Sequence, residues 1–151
     1  MYILSLYMAD QKMIQEKIGE ALGLEMAAQK AVEELDSRGL LESEHMKKLA
    51  KMREEANDQE EEMQQLVKEL AESDGLDASA IEEKAEETAE KASKIMETYL
   101  GEDPDTQEAL EFLCLAEGGE VTHYEVLAAV AKDVKNKKFV TKVRAILQEE
   151  K

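Results

Sequence analysis

The stretch Ala116-Glu117-Gly118-Gly119-Glu120-Val121-Thr122-His123-Tyr124-Glu125 decides how the chain is read. As helix, it sets Glu120 and His123 three residues apart on one face, where side chains at i and i+3 are neighbours. That face also carries Leu113, Ala116, Leu127 and Val130. The acid and the imidazole therefore point toward a helical core, where an unpaired charge is costly. A Glu-x-x-His pair projecting inward is half of the site with which helical bundles hold iron or manganese. Gly118 and Gly119 each cost ~1 kcal/mol relative to alanine inside a helix. They predict a neighbouring helix close by, packed on a bulky side chain, or a π-bulge beside a site.

Composition points the same way. One proline, seven glycines, two phenylalanines and no tryptophan among 151 residues favour an all-helical chain. The length suits one domain, residues 1–151, with a substantial core. A net charge of −17 argues against nucleic acid and against an anionic membrane surface, both of which need clustered Lys and Arg. Hydrophobic residues at 43% are too many for a disordered acidic chain. A single cysteine, Cys114, excludes an internal disulfide framework and a cysteine zinc site. Between Leu113 and Leu115 it reads as a buried, inert thiol. The apolar start Tyr2–Met8 lacks a basic flank and is interrupted by Asp10, so it does not read as a secretion signal. No run approaches the length of a membrane span. The expected location is cytoplasmic. No nucleophile–base pair, phosphate loop or nucleotide fingerprint is present.

Working outward, apolar spacing predicts helices over residues 3–38, 42–72 and 80–100, then one from a cap at Asp103 or Asp105 to about 134, and a short last one over 139–150. The first has the stripe Ile3, Tyr7, Asp10, Ile14, Ile18, Ala21, Ala28, Val32, Leu35, with a carboxylate where packing would want leucine. Gly19 and Gly23 predict a bend or a close helix approach. The second places Gln59 on its stripe between Ala56 and Met63, with Asp58 and Glu62 at the edge. The third has the seam Ile81, Ala85, Thr88, Ala92, Ile95, Met96, Tyr99, and the last turns Phe139, Val143, Ile146 and Leu147 inward. His45, in the first turn of the second helix, reads as surface.

Residues 120–151, with E-V-T-H-Y-E-V-L-A-A-V-A, a short turn and a closing L-Q-E-E-K, resemble the later helices of the YciE/YciF-type ferritin-like stress proteins. Leu6-Tyr7-Met8-Ala9-Asp10 resembles that family's first-helix L-Y-x-A-E, and residues 85–109 match its paired middle helices in pattern. The resemblance implies an all-α, ferritin-like four-helix bundle with an additional short helix, stress-associated and homodimeric. It also implies a carboxylate-bridged iron or manganese centre between helices, oxidising ferrous iron or consuming peroxide. The family's first-helix acid falls on Asp10, and its second-helix histidine falls near Glu62, with Gln59 where another ligand is expected. His123 matches the histidine of E-H-Y-E, with Thr122 in place of the acid before it. Glu149 and Glu150 match the closing acids. Asp10, Glu62, Glu120, His123 and Glu150 are thus the candidate ligands, one imidazole short of the usual set of about four carboxylates and two histidines. The competing reading is a metal-free bundle serving as an interaction or dimerisation module. In that case His123 is a core histidine bonded to an acid such as Asp10 or Glu120.

Overall fold

Glycines and aspartates set the ends of the helices. The computed structural model describes residues 2–73, 75–131 and 137–150, with side chains for all of these except 2–10, 131 and 150. In chain order the helices are α1 (Tyr2–Ser37), α2 (Ser43–Ser73), α3 (Ala78–Leu100), α4 (Thr106–Ala131) and α5 (Lys137–Glu150), and the described residues contain no strand. Gly39, at φ 70°, turns the chain out of α1, and Leu40 N–H donates back to the Leu35 carbonyl at 3.2 Å. Asp77 caps α3: its Oδ1 accepts from the N–H groups of Ser79 and Ala80. Asp105 caps α4 in the same way, accepting from Glu108 N–H at 2.8 Å. α5 begins at Lys137, two residues before the predicted start of the last helix.

Helix α1 is the hub: α2, α3 and α4 pack on it, and α5 packs on α4. α1 and α3 approach closely, and two glycines permit it. A Cβ on Gly19 would stand 2.6 Å from Lys84 Cβ, and one on Gly23 would stand 2.4 Å from the Ala85 carbonyl oxygen. Any other residue at Gly23 would have to push backbone away.

The buried apolar residues form two clusters, one at each end of the helices. One joins Ile14, Ile18 and Leu22 of α1 to Met63 and Leu70 of α2, Ile81 of α3, Tyr124 and Leu127 of α4, and Phe139, Val143 and Ile146 of α5. The other joins Val32 and Leu35 to Leu41, Leu49, Met96, Leu100, Ala109 and Phe112. α5 is no appendage, because Phe139, Val143 and Ile146 are fully buried. It is also tied to α2 by Lys142–Glu62 at 3.4 Å and Lys138–Glu69 at 2.9 Å. The Lys138 ammonium bonded to Glu69 holds that carboxyl below its usual range. Among the described residues no helix is long and apolar enough to cross a membrane.

Candidate functional site

Between the two clusters lies a polar layer. Glu25 falls between Leu22 and Ala31, Gln59 between Leu49 and Met63, and Glu120 between Phe112 and Tyr124. All three are buried, at 0%, 3% and 7% exposure, so each carries a desolvation cost that only polar partners can offset. Tyr124 Oη–H donates to Glu25 Oε1 at 2.9 Å, joining α4 to α1 inside the core. Gln59 Nε2–H donates to Glu149 Oε2 at 3.0 Å, joining α2 to α5, while its Oε1 is buried without a hydrogen-bond partner.

A cavity opens on either side of this layer, with Ala28, Ala116 and Glu120 lining both. One, of about 90 Å³, lies between α1, α2 and α4 and reaches Glu149. The other, of about 170 Å³, is a groove over α1 between α3 and α4. Small residues line its base: Ala27, Ala28, Ala31, Ala92, Ala116 and Gly119. Ile95 and Leu115 also line it and are 61% and 58% exposed. Its polar lining is Ser93, Glu120 and His123.

Of the five predicted ligands, Glu62, Glu120 and His123 have described side chains, and these three form no group that could hold a metal ion. Glu120 is inward, as expected. His123 is not a core histidine: its side chain is 39% exposed, and Nδ1–H donates to the Gly119 carbonyl at 2.8 Å instead of to an acid. In the neutral ring this leaves Nε2 as the acceptor, 3.9 Å from Glu20 Oε2. Glu62 is half-exposed and pairs with Lys142. The side chains of Asp10 and Glu150 lie outside the described residues. Among the described residues, no three His, Cys, Asp or Glu side chains could together hold a metal ion.

Glu25, Tyr124 and Glu20 were not picked out from the sequence. Glu25 could have been, since it continues the spacing Ala21, Glu25, Ala28, Val32 on the buried stripe. Tyr124 lies four residues after Glu120 and three before Leu127. Glu20 gives no such signal.

Four other expectations are corrected. Cys114 is exposed, because Leu113-Cys114-Leu115 sweeps about 200° of helix and only part of that arc can face the core. Ile95 and Tyr99 leave the expected α3 seam, which runs instead through Ile81, Ala85, Met96 and Leu100. Among the described residues nothing lies within 4 Å of a Cβ built on Gly118 or Gly119, so no described helix crowds them. Gly118→Ala should therefore raise the stability of the single chain by about 1 kcal/mol, read by chemical denaturation at low protein concentration. His45 is half-buried rather than on the surface, with a buried Nδ1 that has no hydrogen-bond partner. Comparison of the chain with family models, with curated proteins and with solved structures gives no match.

Proposed function

We propose that this chain is a helical-bundle interaction module that pairs with a second copy of itself through the α3/α4 groove. The observation that carries the reading is the groove itself: a base of alanines and Gly119 beside exposed Ile95 and Leu115. An apolar surface of this kind marks an interaction site. A surface that offers both a ridge and a trough can meet itself across a twofold axis. The space at Gly119 then receives the partner's side chains, which accounts for a helix-weakening glycine that its own chain leaves uncrowded.

The test is substitution on the groove. Leu115→Asp and Gly119→Leu should each give single-chain mass by sedimentation with helical content unchanged. A wild-type mass retained in both variants would sink the interface.

A second reading, a cytoplasmic ferritin-like stress protein that holds iron or manganese, is supported by His123. Its Nδ1–H on the Gly119 carbonyl fixes the ring with Nε2 available, which is how metal-binding histidines are oriented. The chemistry would be oxidation of ferrous iron or consumption of peroxide. Elemental analysis of protein reconstituted with ferrous iron or manganese, beside His123→Ala, tests it. Near-stoichiometric metal lost in the variant supports the reading, and no metal in the wild type rules it out.

A further inference from the structure

We infer that the α4 helices of two copies cross antiparallel over Gly118–Thr122, with Leu115 of each chain packed on Val126 of the other. This rests on the pairing of two copies proposed above and names the contact, at the α4 edge of the groove, that holds them. α4 is the most apolar of the five helices, and its apolar residues spread around the axis instead of gathering on one side. A helix of that kind belongs in a buried position. One face nevertheless stays open. Leu115, Gly118, Thr122, Val126 and Ala129 follow at steps of three or four residues, all exposed, with half-buried Gly119 beside them. That spacing is the seam along which one helix receives another. No charged residue interrupts it, in a chain of which 36% is charged.

The middle of the seam is prepared for a dry, close contact. Gly118 and Gly119 carry no side chain, so a second helix axis can come near. Thr122 is the one polar side chain among the six, and its hydroxyl donates to the Gly118 carbonyl at 3.0 Å. Burying it therefore strands no donor. The large apolar side chains stand at either end, Leu115 at 58% exposure and Val126 at 41%.

Order along the seam selects a second copy and its direction. Across a twofold axis, a residue that meets another is met by it in return. With the axis over the small residues, Leu115 of one chain meets Val126 of its partner, and the same contact repeats at the other end. Charge excludes the parallel alternative. Glu111 continues the seam toward the start of α4 and Glu125 borders it. In a parallel pair each would face its own copy, whereas in the antiparallel pair Glu111 comes beside Val130 of the partner and Glu125 beside Ala116 of the partner. Like charges in direct opposition are destabilising.

The test is a charge exchange between two copies of the full chain, read by sedimentation equilibrium. Leu115→Lys and Val126→Glu each place an unpaired charge at both ends of the crossing and should each give single-chain mass. Both positions are exposed in the single chain, so helical content should not change. An equal mixture of the two variants should recover twice that mass, because the lysine of one chain then meets the glutamate of the other. A mixture of Leu115→Lys with Ile95→Glu should not recover it, because Ile95 lies on α3. Single-chain mass for the unmodified chain would overturn the pairing and this contact together. A doubled mass for the unmodified chain, with no recovery from Val126→Glu or with recovery from Ile95→Glu, would leave the pairing and overturn the α4 crossing. A doubled mass retained in both single variants would overturn the crossing as well.

Discussion

Gly23→Ala should destabilise the protein even though alanine is the better helix former. Propensity alone favours the substitution by ~1 kcal/mol. Against it stands the Ala85 carbonyl oxygen, 2.4 Å from where the new Cβ would be, with Thr88 Cβ at 2.8 Å. Neither is the far end of a flexible side chain, so α1 and α3 must move apart along their whole contact. Overpacking of this kind costs about 1–3 kcal/mol, and more where backbone must yield. We expect a net loss of ~2 kcal/mol, or a fall in melting temperature of roughly 4–8 °C for a chain of this length. Denaturant unfolding of Gly23→Ala beside Gly118→Ala gives a paired check. Opposite signs are expected, and stabilisation by both would show that α1 and α3 are not in close contact.

Phe139→Ala should have the larger effect. Phe139 is fully buried at the start of α5, in the cluster that also holds Met63, Leu70, Tyr124 and Leu127. Truncating a buried phenylalanine costs about 3–5 kcal/mol through lost transfer energy and the cavity left behind. The result separates two pictures of the C-terminal helix. A loss in that range, with a single cooperative transition, makes α5 part of the core. A loss below ~1 kcal/mol, within the range of ordinary surface substitutions, would make it an accessory, as the four-helix expectation had it.

The helices were readable from the sequence because their stop signals are local. Gly39, Gly101, Asp77 and Asp105 act within a few residues of themselves, and Asp105 takes the cap role read for it. Gln59 was legible for a similar reason: a polar residue on a clean apolar stripe is buried wherever the helix packs. What depends on a neighbour was not legible. Gly19 and Gly23 suggested either a bend or a close approach, and only the position of α3 decides between them. Gly118 and Gly119 gave the same local signal and face open space. The i, i+3 spacing of Glu120 and His123 fixed a common face but not its neighbours. α4 crosses α1 so that Tyr124, one residue after His123, takes the buried position and bonds Glu25. His123 is left at the edge, beside Glu20. The narrow seam of α3 hid a similar ambiguity, since two alternative registers share Ile81 and Ala85. The one taken buries Met96 and Leu100 and leaves Ile95 at the groove.

Pairing through that groove has an electrostatic signature. Two chains of net charge −17 repel each other, so salt should strengthen an association held by apolar contact. Screening acts over ~10 Å at 0.1 M ionic strength and over ~30 Å at 0.01 M. The most direct measurement is sedimentation equilibrium of the unmodified chain over a range of protein concentrations at both ionic strengths. The account predicts twice the 17.0 kDa of one chain at the higher salt, shifting toward a single chain at the lower. A single-chain mass at every concentration and in both salts would contradict it.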